Sequence, residues 1–368
     1  MLEFVPYTQE WIPSVHDFNE RMAAGGLASE LRFPEELDAQ FCEDPKDPLF
    51  REYFLAVDGT NVRGTYFITH EQWIANGHPC RVASIRLPTS EGLINPQYKG
   101  LGRAVLKHAL SRNPFLYGLG YGDKNRPLAR LVRSQGWIWA ETPFYFRCVH
   151  PRKVLQNLPW LRGRPGWRFL LDVATWSGAW TGTKALQYLR TRTPATPATA
   201  STVSDFGDWV DDLWERARGA YSVLSVRNLR MLRARYPADD ARFIRMAFHC
   251  KSELRGWAVG LATTMQDHRH FGNLRVGTIV DCLAVPGNEH SVVYAAAKAL
   301  EGRGVDVIIS NQSNRSWCTA FERAGFLSGP TNRFFTSSPE LARLLESFEQ
   351  NFPFIHLTRG DAAGPVHL

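Results

Sequence analysis

The chain has 368 residues, 44% of them hydrophobic and 21% charged, which excludes a disordered or fibrous protein and exceeds the length that one hydrophobic core usually supports. Lysine and arginine number 43 against 36 aspartates and glutamates, a formal charge of +7 that favours anionic partners: nucleic acid, a phosphorylated cofactor, a nucleotide sugar or an anionic membrane surface. No stretch reaches the roughly 20 apolar residues of a spanning helix, no basic leader precedes an apolar run at the N-terminus, and Cys42, Cys80, Cys148, Cys250, Cys282 and Cys318 lack CxxC or CxxH spacing, so a cytoplasmic protein with reduced cysteines and no zinc site is expected.

In the first half, EYFLAVDGTNVRGTYFITHEQWI alternates around Asp58-Gly59 and predicts a hairpin. CRVASIRLPTSEGLIN supplies another strand. Pro96 to Leu110, PQYKGLGRAVLKHAL, then places Gly100, Gly102 and Ala104 in a tight turn before an apolar-periodic helix. Such a turn presents bare N–H groups and the positive end of a helix dipole, the elements of an anion cradle. ALSRNPFLYGLGY predicts a helix end and a strand, NRPLARLVRSQGW a helix, and FYFRCV a final strand. Strands alternating with helices indicate an α/β or α+β mixed-sheet fold.

Residues 158–190 interleave Trp and Phe with Arg and Lys, the composition of a helix packed between domains or lying in a membrane interface. TRTPATPATASTVS, from Thr191 to Ser204, reads as a linker. The order then repeats: a hairpin in ARFIRMAFHCKSELRGWAVGLATT, a strand in GTIVDCLAVP, a helix in HSVVYAAAKALEGRG, a strand in VDVIIS, a helix in NRSWCTAFERAGF and a strand in NRFFTS. Arg63-Gly64 matches Arg255-Gly256, Pro96 matches Pro286, and Gly136-Trp137 matches Gly325-Phe326, at nearly constant offset. Two domains in tandem are expected, 1–150 and 206–368, joined by 151–205. His268-Arg269-His270 reads as a polar loop, and no nucleophile motif such as G-x-S-x-G occurs.

Tyr98-Lys99-Gly100-Leu101-Gly102 and Asn125, eleven residues before Gly136-Trp137, are the residues on which the sequence resembles the GNAT superfamily of acyl-CoA-dependent N-acyltransferases. The resemblance implies two GNAT-like domains, with acetyl-CoA or another acyl-CoA held between two splayed parallel strands. Its pyrophosphate would meet Lys99, Gly100, Leu101, Gly102, Arg103 and Ala104, with Ile94 and Asn125 along the pantetheine arm. The reaction implied is attack of an amine on the thioester, with Glu91 or His70 as base. The tyrosine acid of many such enzymes is replaced by Val132 in the first half and Phe321 in the second, so that another group such as Tyr121, Ser134 or water donates the proton, or the thiolate leaves unassisted. Around the second half's equivalent turn stands PGNEHSVV, with Gly287 alone and an acidic Glu289, so little or no donor binding is expected there. The tandem layout and FIHLTRGDAAGP are similar to acyltransferases of surface-polysaccharide synthesis, which implies an amino sugar or glycan-precursor acceptor and no nucleic acid. A Fem-type transferase using aminoacyl-tRNA, and a non-catalytic protein of the same fold, are the alternatives.

Overall fold

The structure is a computed structural model that describes residues 2–28, 31–36, 44, 46–121, 125–157, 180–345 and 348–361. The fold is mixed α/β, in two compact units: Met1–Ala140 with Phe334–Glu349, and Glu141–Arg333 with Gln350–Leu368.

Unit 1 contains β1 (Leu2–Pro6), α1 (Ile12–Ala24), β2 (Phe50–Asp58), β3 (Asn61–Ala75), β4 (His78–Ser90), α2 (Leu101–Arg112), β5 (Leu116–Tyr121) and α3 (Pro127–Ser134), followed by the start of β6 (Ile138–Cys148). β1 to β4 form an antiparallel meander, and β4 pairs in parallel with β5. Side chains alternate across the sheet, so each face gathers its own core. Tyr66, Ile68, Ala83, Ile85 and Leu116 bury one face against Leu101, Val105 and Ala109 of α2 and Val132 of α3. Leu55, Val57 and Val62 bury the other against Val15, Phe18 and Met22 of α1, which recur at helical spacing.

In unit 2 the same plan recurs. It continues β6 and adds α4 (Pro151–Asn157), α5 (Trp180–Arg190), β7 (Thr199–Val203), α6 (Trp209–Ala217), β8 (Val223–Ser225), α7 (Leu229–Arg235), β9 (Ile244–Cys250), β10 (Glu253–Thr264), β11 (Arg275–Ala284), α8 (Glu289–Glu301), β12 (Val307–Asn311), α9 (Arg315–Arg323) and β13 (Leu327–Ser337). The order β7-β9-β10-β11-β12 reproduces β1-β2-β3-β4-β5 of unit 1. Thr199–Val203 therefore corrects the linker reading: the latter part of that segment is an edge strand paired with β9. Trp180–Arg190 is a helix, and the rest of the basic aromatic stretch lies outside the described residues.

The units do not follow a single cut between residues 150 and 206. Phe144–Cys148 of β6 pair with β12 in unit 2, whereas the end of β13 lies beside β5 in unit 1, where Ser338 N–H donates to Leu116 O at 2.9 Å. α10 (Pro339–Leu344) follows it, and β14 (Ile355–His356) returns to unit 2, parallel to β8. Among the described residues no helix is long and apolar enough to cross a membrane.

Candidate functional site

β4 and β5 pair over only Ala83↔Leu116 and Ser84↔Tyr117. Beyond Ser84 and Tyr117 the two parallel strands no longer pair, leaving a fork in the sheet. On its other edge β4 is bulged: Thr65 faces Thr89 and Phe67 faces Arg86, so Leu87 and Pro88 together oppose Tyr66. Leu87 is a non-glycine residue at φ 42°, a left-handed conformation that costs an L side chain energy and is held by the surrounding sheet. The bulge takes Leu87 out of the ladder at the fork, and Pro88 has no N–H to offer.

The fork's mouth is the start of α2. Gly100 is the N-cap, without a capping side chain, and no acidic residue stands in the first turn. A Cβ on Gly100 would meet nothing within 4 Å, and one on Gly102 would reach Ser90 Oγ at 3.4 Å, an ordinary contact. The fold itself does not require these glycines. The helix start lies against the end of β4 and leaves its first N–H groups clear, as an anion site needs. Lys99 and Arg103 flank it, exposed, with no acidic partner among the described residues. Leu101 is buried in the core and Ala104 half-buried against it, so these two anchor the helix.

The turn from β4 to α2 is fixed by charge. Glu91 is 4% exposed; its carboxylate accepts from Arg63 at 2.9 and 3.0 Å and from Arg21 at 3.4 Å. Arg63 also lies 4.9 Å over the Tyr98 ring. At Gly92 a side chain would run into the Tyr98 carbonyl, so here glycine is required for the turn to close. Two guanidiniums occupy this carboxylate, which ties the turn to α1 and β3. Ile94 is 36% exposed, its side chain against Gly25 at the end of α1.

His70 occupies a buried position of the sheet. It lies inside β3 opposite Ala83, buried, with Nε2 2.6 Å from Glu52 Oε2 and Nδ1 3.3 Å from Asn113. Arg112 donates to the other oxygen of Glu52 at 2.6 Å. Burial opposes ionisation of Glu52, but His70 and Arg112 outweigh it and hold the carboxyl below its usual range. β3 is fifteen residues long, and that length carries His70 well inside the sheet.

Asn125 does not cap a helix: it is an exposed turn residue, and α3 begins at Pro127 with Arg126 as N-cap. Asn314, likewise eleven residues before Gly325-Phe326, does cap α9, accepting from Ser316 N–H at 3.0 Å. Gly136 and Gly325 have a shared local reason, since both follow a helix at φ 75° and 81°. The next residue closes the helix end in each case, Trp137 N–H to Val132 O and Phe326 N–H to Phe321 O. Val132 and Phe321, which stand where a tyrosine acid was sought, are fully buried core residues. Tyr121 ends β5 at the open side of the fork, and its side chain lies outside the described set. Ser134 donates to Leu131 O at 2.7 Å on the exposed side of α3. Sequence reasoning missed the strained Leu87; the Leu-Pro pair inside a strand was the available signal.

No protein-family model matches this sequence, and no curated protein matches it. Its fold is shared by many solved structures, including two of different origin. One is a conserved protein of unknown function from Enterococcus faecalis V583 described as a probable N-acyltransferase, at TM-score 0.55 and 11% identity over 91% of this chain and 72% of that one. The other is Saccharomyces cerevisiae N-myristoyltransferase with bound myristoyl-CoA, at TM-score 0.53 and 9% identity over 91% and 82%. With so little identity the likeness concerns the fold alone, and that fold is the one these N-acyltransferase structures display.

Proposed function

We propose that unit 1 is an acyl-CoA-dependent N-acyltransferase site. The observation that carries this reading is the parallel fork of β4 and β5, bulged at Leu87-Pro88 and opening onto a glycine-capped, basic helix start. The N–H groups at Gly100 and Gly102, with Lys99 and Arg103, suit a diphosphate. The unpaired strand edges suit an extended arm that carries amides, as pantetheine does. Leu87 N–H, outside the ladder, is placed to donate to the oxygen that gains charge when an amine nitrogen bonds to the thioester carbon. The C–S bond then breaks, and the thiolate takes a proton as the ammonium loses one. A thiolate of pKa about 8.5 is a tolerable leaving group. Tyr121 is the proposed proton donor; the pairing of Glu91 with two arginines and the buried place of His70 support water as acceptor of the amine's proton. A short acyl group and an acceptor of amino-sugar type are the finer form of the proposal; the donor class is supported by the myristoyl-CoA in the yeast neighbour.

Gly100→Glu tests it. The added side chain meets nothing in the fold and places a carboxylate at the positive end of α2, so thermal stability holds or rises. Donor binding, read by native mass spectrometry with an acyl-CoA series, drops by at least tenfold, and CoA release across an amine panel that includes amino sugars falls with it. Equal binding by the variant and the wild type overturns the assignment.

A further inference from the structure

Unit 2 has its own fork. β11 and β12 pair in parallel only over Val276–Thr278 and Val307–Ile309. β11 is bulged at Val280, between the pairs Val259↔Asp281 and Gly260↔Ile279. This fork is filled by the chain itself. Towards β12, Ser313 N–H donates to Leu357 O at 3.2 Å, the Ser313 hydroxyl donates to Ile355 O at 2.6 Å, and Leu357 N–H returns a bond to Ser313 Oγ at 2.8 Å. Gln312 and Thr358 form an antiparallel bridge, and Arg359 donates to Asn311 Oδ1 at 2.9 Å. Towards β11, the His356 ring donates to Cys282 O at 2.9 Å and the Thr358 hydroxyl donates to Asp281 Oδ1 at 3.0 Å. Every residue from Ile355 to Asp361 is buried. The segment is a short strand, Ile355–His356, paired with β8, followed by a 3-10 turn at Arg359–Asp361, and its bonds to Ser313 on one side and to Asp281 and Cys282 on the other occupy the fork.

A charge lattice closes over it. Arg227 donates to Asp281 of β11 at 3.0 Å and to Asp361 of the segment at 2.7 Å, and Arg235 reaches Asp361 at 3.2 Å. Arg227, Asp281 and Asp361 are essentially unexposed, so the two carboxylates are paid in kind by two guanidiniums rather than by water. At the mouth, where α2 opens with Leu101 after the N-cap Gly100, α8 opens with Glu289 after the N-cap Asn288. Glu289 lines a cavity of about 330 Å³ beside His290, Arg315 and Arg323.

We propose that Ile355–Asp361 are the permanent internal ligand of the second fork, which closes it to any extended amide-bearing molecule and limits the protein to one acyl donor per chain. The donor count rests on the function proposed for unit 1; the occupancy of the second fork does not. Hydrogen exchange on the full-length protein is expected to show 355–361 protected to the level of β11 and β12, with no change on adding acetyl-CoA, while native mass spectrometry saturates at one donor. Gly360→Ala, whose Cβ would meet the Tyr236 hydroxyl and lie 3.1 Å from Asp281 Cβ, raises exchange in 355–361 at least tenfold with β1 to β4 unchanged. A second bound donor at saturation, or exchange of 355–361 at the rate of an exposed tail, overturns the proposal. A protein that binds no donor yet protects 355–361 supports the internal ligand and refutes the donor reading of unit 1.

Discussion

Two residues show how a chemical type acquires its task from its neighbours. Glu91 has the right chemistry and the right place for a base, but its two arginine partners make it the clamp of the turn that leads to α2. Glu91→Gln is expected to cost about 1.5–3 kcal/mol, the usual worth of charged hydrogen bonds. It should also raise the KM for donor while leaving the pH profile of kcat unchanged; loss of the acidic limb of that profile would return Glu91 to the role of base. His356 is the second case. Burial, and then the charge of Arg227, lower its pKa from 6.5 to about 3. The folded state therefore keeps it neutral while the unfolded chain protonates near pH 6.5, so its contribution to stability is complete above pH 6.5 and is lost as pH falls towards 3. His356→Phe keeps the stack on Tyr221 and Trp317 but removes the titration and the bond to Cys282. Urea midpoints should be lower for the variant at pH 7.5 and fall less steeply than wild type between pH 6.5 and 4; parallel curves would contradict this.

At the scale of elements, the two Gly-aromatic helix ends share one backbone motif and differ in what surrounds it. Around Gly136 the nearest atom to an added Cβ is Pro339 Cγ at 4.0 Å, whereas at Gly325 the Cβ would collide with Thr191 Oγ1 and lie 3.2 Å from Gln187 O. Gly136→Ala should cost the left-handed penalty alone, about 1–2 kcal/mol. Gly325→Ala should cost measurably more in the same chemical denaturation experiment, and equal losses would show that the packing around Thr191 yields freely. The motif was legible because a glycine after a periodic helix has a local cause. The bulge at Leu87 was not, since it depends on how β3 and β4 register against each other. β7 was hidden for a similar reason: a short edge strand of Thr, Ala and Ser carries no apolar alternation, and its pairing with β9 alone makes it a strand.

For the whole molecule, the exchange of strands decides what can be separated. Unit 1 includes Phe334–Glu349, so a chain ended at residue 150 leaves β5 without its β13 neighbour. An exposed parallel-sheet edge invites association. The fragment 1–150 should aggregate or oligomerise in size-exclusion chromatography, and co-expression with 151–368 should rescue it; a stable monomeric fragment would refute the dependence. The sequence by itself determined the mixed α/β class, the twofold order of elements and a glycine-marked helix start near Gly100, because hydrophobic period and helix-end glycines act over a few residues; the turn expected to hold Gly102 and Ala104 ends at Gly100, and both residues lie inside α2. Only the tertiary structure decided that Glu91 is clamped, that His70 is interior, that each unit takes a strand from the far part of the chain, and that the second fork holds residues 355–361. Those outcomes rest on contacts between segments far apart in the chain, where burial and charge pairing choose the partner and no local pattern records the choice.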